Sequence, residues 1–180
     1  MRLTLLAAAL LLAAPAALRA QPVTVVVVRH AEKADASADP VLSEAGTARA
    51  EALAAALKDA GVQAVIVSPR QRTRLTAQGV LQARGLTPEV VGLTPTHVAD
   101  VARAVRARKG QVVLVVGHSN TVPAIVTALG GPKLADLCDA QYSQLFTLVV
   151  PEQGAPTVVR SQYGAPDAPE AGSCATGMKP

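Results

Sequence analysis

Three apolar runs each end on residues able to handle an anion. Val23–Val28 ends on Arg29 and His30. Gln63–Val67 ends on Ser68, with Arg72 four residues later. Gln111–Val116 ends on Gly117, then His118, Ser119 and Asn120. Two imidazoles and two guanidiniums suit a tetrahedral phosphate. Arginine offers a permanently charged, planar, bidentate fork. A neutral imidazole can attack phosphorus and carry it as a covalent phosphohistidine. A second histidine can donate to the phosphate oxygens, and fixed donors around those oxygens stabilise transition-state charge. The helix that starts at Thr121 adds backbone N–H groups and a positive dipole end.

That chemistry requires the three run ends to meet. Unbroken valine-rich runs are what strands buried on both faces look like. In an open parallel sheet, ligand sites lie beyond the carboxyl ends of the strands. Between the runs the sequence predicts helices at Ser43–Ala60, Arg70–Arg84, Thr96–Arg108 and Thr121–Leu129. Ser43 serves as an N-cap, and Gly61 and Gly85 as stops. In the first helix Ala45, Ala48, Ala52, Ala56 and Ala60 fall near one face beside Leu53 and Leu57, as core packing. Arg49, Glu51, Lys58 and Asp59 are left to solvent. In the second, Leu75, Gly79, Leu81 and Gln82 can face the sheet. Pro88–Leu93 reads as a weaker strand, and Leu145–Val150 and Pro156–Tyr163 as the last two. The alternation predicts a three-layer αβα domain with a mostly parallel central sheet.

The chain has 180 residues, half of them hydrophobic. Met1–Ala20 reads as an export signal: Arg2, an apolar stretch Leu3–Ala14 too short to span a bilayer comfortably, Pro15, and a small residue, Ala20, for cleavage. The expected mature domain covers 21–163, followed by a flexible tail over 164–180. No stable membrane insertion is expected once the signal is removed. Removing it takes Arg2 and Arg19, so Lys+Arg falls from 17 to 15 against 13 Asp+Glu, and the net charge from +4 to +2. This small balance, with only Tyr142, Phe146 and Tyr163 as aromatics, argues against a nucleic-acid partner. Export to a periplasmic or secreted location also predicts a disulfide between the two cysteines, Cys138 and Cys174, pinning the tail. The spacing fits no zinc pattern, and no metal is expected. His97 is isolated after a proline and is read as a helix-start or surface residue.

Four blocks then occur in order: Arg29-His30-Ala31-Glu32, Leu42-Ser43-Glu44-Ala45-Gly46, Ser68-Pro69-Arg70-Gln71-Arg72-Thr73-Arg74-Leu75-Thr76-Ala77, and Gly117-His118-Ser119-Asn120-Thr121. Together they resemble the phosphoglycerate-mutase-like branch 1 of the histidine phosphatase superfamily, over about Val23–Tyr163. The resemblance implies a phosphoglycerate mutase-like fold and no cofactor. It implies His30 as the phosphorylated nucleophile, and Arg29, Arg72 and His118 as the other catalytic, phosphate-holding residues. Ser119 and Asn120 would complete the pocket, while Arg70 and Arg74 fall outside the family's arginine slot. The substrate would be a small phosphorylated molecule or a phosphoprotein.

The chain departs from that pattern in one place. Members that cleave ordinary phosphate esters usually carry a carboxylic acid to protonate the leaving oxygen. The corresponding segment here, Gly92-Leu93-Thr94-Pro95-Thr96-His97, has none; Glu89 precedes it, and Ser119 stands where another branch has an aspartate. Asp100, or an acid of the Glu32–Asp39 loop, could substitute. The resemblance therefore implies a phosphatase, exported by the N-terminal signal, that acts on an easy leaving group, such as a phosphoramidate or acyl phosphate, or on a substrate that supplies its own proton. The alternative is a non-catalytic phosphate- or phospho-ligand-binding member of the same fold.

Overall fold

A computed structural model describes residues 21–168. The expected signal peptide at 1–20, Cys174 and the remainder of the tail lie outside the described residues. The elements follow the chain as β1 (Val23–Arg29), α1 (Glu44–Ala56), β2 (Ala64–Val67), α2 (Gln71–Arg84), β3 (Glu89–Val90), α3 (His97–Arg106), β4 (Val112–Gly117), α4 (Thr121–Ala128), β5 (Gln144–Val150) and β6 (Thr157–Gln162). One six-stranded sheet has the order β3-β2-β4-β1-β5-β6. Neighbours are parallel from β3 to β1. β5 runs antiparallel to β1, and β6 antiparallel to β5.

The valine run of β1 is central because its side chains alternate between the two faces. Val23, Val25 and Val27 pack with Val101 and Val105 of α3 and Ile125 and Val126 of α4. Val26 and Val28 pack with Leu53 of α1 and Ala77, Val80 and Leu81 of α2. Each fully buried valine stabilises the fold by about 1.5–3 kcal/mol relative to an exposed one. This is the expected three-layer αβα architecture.

The alanine face expected of α1 is not its buried face. Ala45, Ala48, Ala56 and Ala60 are exposed. The buried stripe is Gly46, Arg49, Ala50 and Leu53. Alanine is too small to mark one face by contrast, so burial follows the larger leucine and a partnered arginine. On α2 the sheet-facing positions include Thr73 and Thr76, with Ala77, Val80 and Leu81, rather than Leu75 and Gly79. Both threonines sit in the interior because their hydroxyls bond the main chain of their own helix: Thr73 donates to Arg70 O, and Thr76 to Arg72 O.

The packed chain also extends past Tyr163. Arg49 Nη1 donates to the carbonyls of Tyr163 and Ala165 at 3.1 and 2.9 Å. Asp167 accepts the N–H groups of Tyr142 and Ser143 at 2.8 and 2.7 Å. The tail expected to be mobile from 164 therefore begins on the domain surface. Cys138 is buried and disulfide-bonded. No helix among the described residues is long and apolar enough to cross a membrane.

Candidate active site

β1, β2 and β4 are parallel neighbours, so their carboxyl ends share one edge. Register pairs Arg29 with Gly117 and Val67 with Val116. A side chain at Gly117 would meet Thr121 Oγ1 and Val122 within about 3 Å, so α4 can start hard against the strand end. Arg29, His30, Arg72, His118, Ser119 and Asn120 all line one open cleft of about 660 Å³ beyond that edge. All six predicted residues are brought together.

His30 is buried, and its N–H is held by Gly117 O at 2.9 Å. Its Nδ1 lies 2.8 Å from Ala31 O. A carbonyl only accepts, so this contact assigns the proton to Nδ1 and leaves the lone pair on Nε2. Burial pushes the His30 pKa down to about 2; the Ala31 carbonyl opposes this, while Arg29, His118 and Arg72 add to it. The ring is therefore neutral at physiological pH and carries a nucleophilic nitrogen.

His118 has the opposite tautomer. Its Nε2 is 2.9 Å from Ser68 Oγ, and its Nδ1 is 3.5 Å from Arg72 Nη2. Guanidinium only donates, so Nδ1 carries the lone pair and Nε2–H donates to the serine. Burial, then the cations around Arg72, hold the His118 pKa at about 3. The two rings stand edge to face, 5.3 Å apart. Ser68 is itself fixed against Thr73 Oγ1 at 3.2 Å, and Thr76 Oγ1 accepts Ala31 N–H at 2.9 Å. The threonines of the third block thus tie α2 to both histidine-bearing strands.

Arg29 Nη1 donates to the carbonyls of Cys138, Asp139 and Gln141 at 2.7, 3.0 and 3.1 Å. Its guanidinium lies over the Tyr142 ring, 4.0 Å from the centroid. Among the described residues, Nε of Arg29 and both Nε and Nη1 of Arg72 are buried without a hydrogen-bond partner. Arg72 Nη1 has only a looser ion pair with Asp39 at 3.6 Å. Burial, and then the neighbouring Arg70, work against the charge on Arg72. An anion placed here would meet unused donors and relieve that crowding of positive charge.

Several residues differ from their sequence reading. Arg70 lines the cleft beside Arg72, whereas Arg74 is exposed and does not. His97 does start α3 but is buried in the cleft wall, its Nδ1 on Gly92 O at 2.9 Å. Lys33, Asp136 and Asp139 also line the cleft, and no periodicity or motif marked them.

Of the acids suggested as substitutes, Asp39 stays beside the site, 3.6 Å from Arg72 Nη1, whereas Asp35 accepts Ser37 N–H and the others have partners away from the histidines. Asp100 is bound to Thr96 and Arg103 at 2.8 and 2.6 Å, and Glu89 pairs with Arg108. Glu32 is clamped by Arg49 at 2.7 Å, and Asp39 accepts Gln71 N–H at 3.0 Å. The carboxyls that do reach the cleft are Asp136 and Asp139, the latter 3.7 Å from Arg29 Nη2. No group of His, Cys, Asp or Glu among the described residues is arranged to hold a metal ion.

The family model of the histidine phosphatase superfamily (branch 1) matches residues 25–92. Among solved structures, the chain is similar to the protein histidine phosphatase SixA complexed with tungstate. The identity is 23% with a TM-score of 0.62, covering 77% of this chain and 96% of that one. The putative phosphohistidine phosphatase SixA from Agrobacterium tumefaciens gives 25% identity and a TM-score of 0.58 over 79% and 98% of the two chains. Phosphoserine phosphatase from Entamoeba histolytica, in complex with 3-phosphoglyceric acid, gives 12% and 0.59, again over 79% and 98%. Among curated proteins, none matches the sequence. The chain is thus similar to branch 1 of the histidine phosphatase superfamily over β1 to β3, and it shares the fold of these phosphatase structures.

Proposed function

We propose that this protein is a phosphatase that works through a phosphohistidine at His30. The observation that carries the reading is the His30 imidazole: neutral, with Nδ1–H on Ala31 O, and set beside two arginines of which Arg29 Nε and Arg72 Nε and Nη1 are buried without a hydrogen-bond partner. Nε2 attacks phosphorus, the bond from phosphorus to the leaving group breaks, and that group departs with its electron pair. Water then attacks the phosphohistidine, the P–N bond breaks, and inorganic phosphate leaves with Nε2 regaining its lone pair. Arg29, Arg72 and His118 hold the phosphoryl oxygens, with Ser119 and Asn120 at the start of α4. A bound dianion raises the pKa of His118, which then gains a proton at Nδ1 and donates it as a hydrogen bond.

The leaving group is one that departs easily, as in a phosphoramidate or acyl phosphate. The segment where the family's acid is expected has no carboxyl, and Asp100 is held by Thr96 and Arg103. Similarity to structures described as histidine phosphatases, one of them with the tetrahedral oxyanion tungstate, supports this substrate class. We also propose that the protein is exported to a periplasmic or secreted location. The pattern of residues 1–20 and the disulfide bond at Cys138 support export.

The test is turnover and acid-quenched covalent labelling of the wild type and His30→Ala, on a panel of an aryl phosphate, a phosphoramidate and an acyl phosphate. Wild type is expected to turn over and label, and His30→Ala to do neither. Undiminished turnover in the variant would refute the nucleophile. Phosphate binding by wild type without turnover on any panel member would favour the non-catalytic binding reading.

A further inference from the structure

The residue that grips Arg29 from behind is itself gripped by the C-terminal segment. Three carbonyls within four residues, those of Cys138, Asp139 and Gln141, converge on Arg29 Nη1. The next residue, Tyr142, lays its ring on the guanidinium. That stretch has no regular secondary structure, so something else must fix its shape. At its end the main chain is held by the side chain of Asp167. Oδ1 accepts the N–H groups of both Tyr142 and Ser143. Oδ2 accepts the Ser143 hydroxyl at 2.8 Å and Gln144 Nε2 at 3.3 Å.

The segment carrying Asp167 is anchored in turn. Arg49 holds the Tyr163 and Ala165 carbonyls with one nitrogen and Glu32 with the others, and Glu32 lies two residues beyond His30. We propose that Asp167 is a positioning residue for Arg29. It fixes the main chain of 142–143, so that the Tyr142 ring and the three carbonyls present the guanidinium to the phosphoryl oxygens. This rests on the reading of Arg29 as a phosphate ligand.

The position has a charge logic as well. Burial opposes ionisation of the Asp167 carboxyl, but the donors from Ser143 and Tyr142 outweigh it and hold its pKa below the usual carboxylate value. An ionised acceptor makes these the stronger, charge-assisted kind of hydrogen bond. Asp167 lies in the stretch that sequence composition reads as tail, outside all four motif blocks. Its part in the site comes from the chain's return to the β1–β5 edge.

The experiment measures the Kd for inorganic phosphate by calorimetry, and KM and kcat for an aryl phosphate, in the full-length protein. The variants are Asp167→Ala and Asp167→Asn, with Val105→Ala in the α3 core as a destabilised control. Misplacing a binding group by about 1 Å can cost up to about 100-fold. Asp167→Ala is expected to weaken phosphate binding about 10-fold and to raise KM more than it lowers kcat. Asp167→Asn keeps a neutral acceptor for the two N–H groups and should fall between Ala and wild type. Val105→Ala should lose stability with its phosphate Kd unchanged.

If Asp167→Ala does not fold, the Asn variant carries the test. A phosphate Kd equal to wild type in the folded variants, or a loss no greater than that of Val105→Ala, would overturn the proposal. Wild-type protein that binds no phosphate would instead overturn the phosphate-site reading beneath it.

Discussion

Keeping two histidines neutral in the folded protein has a measurable consequence for stability. Folded His30 has a pKa of about 2 and folded His118 about 3, against 6.5 for an ordinary histidine. Between pH 7 and pH 5 the unfolded chain takes up about three quarters of a proton on each ring, while the native state takes up almost none. Stability rises with pH wherever the unfolded state binds more protons, so it must fall as the pH drops through this window. With an unfolded pKa of 6.5, each histidine accounts for a loss of about 2 kcal/mol at pH 5 relative to pH 7, and the pair for about 4. That is large against a typical total of about 5–15 kcal/mol. Asp35, Asp100 and Asp167 have pKa values lowered further, so they stay ionised across this window and contribute little. Urea unfolding at pH 7 and pH 5 in phosphate-free buffer, on wild type, His30→Asn and His118→Asn, isolates the effect. His97 is common to all three proteins and cancels in the differences. Each variant should lose about 2 kcal/mol less than wild type over the same interval. If His30→Asn loses as much as wild type, His30 is not held neutral, and the argument for an unprotonated nucleophile fails.

Two further outcomes follow from the packing around the site. Ser68→Ala removes the acceptor of the His118 Nε2 proton, which should cost about 1–3 kcal/mol of stability. Nitrogen-15 NMR should show Nδ1–H on His30 and Nε2–H on His118 in wild type, with the His118 preference lost in the variant; the same tautomer on both rings would contradict the geometry. Gly46→Ala would place a Cβ 2.3 Å from the Glu32 carbonyl oxygen, at the contact between the first turn of α1 and the loop after His30. Overpacking of this kind costs about 1–3 kcal/mol, against the roughly 1 kcal/mol by which alanine is the better helix former. A fall in Tm is expected, and a rise would show that the loop moves aside freely.

The valine runs of β1, β2 and β4 were legible because strands buried on both faces must be apolar throughout, whatever surrounds them. Their carboxyl ends are a property of chain direction, so Arg29, His30, Arg72, His118, Ser119 and Asn120 could be assigned to one edge before any coordinates. α1 shows where composition misleads: an alanine-rich helix carries little contrast between faces, and its buried charge, Arg49, is stabilised only by partners 17 and more than 100 residues away. His97, Asp136, Asp139 and Tyr142 were invisible as site residues for the same reason. They sit in loops or at a helix start, where no periodicity constrains side-chain direction.

By itself, then, the order of residue types determined the layers, the strand ends and the histidines and arginines gathered at one edge, since each follows from local burial and chain direction. Only the tertiary structure decided the tautomers of the two histidines, because each depends on one acceptor or donor brought in across the fold or from the backbone turn. Only it showed that Asp100 and Glu32 are held by Thr96, Arg103 and Arg49. And only the return of the chain past β6 set Asp167 on the main chain of Tyr142 and Ser143, beside the loop that holds Arg29, a meeting that no local pattern encodes.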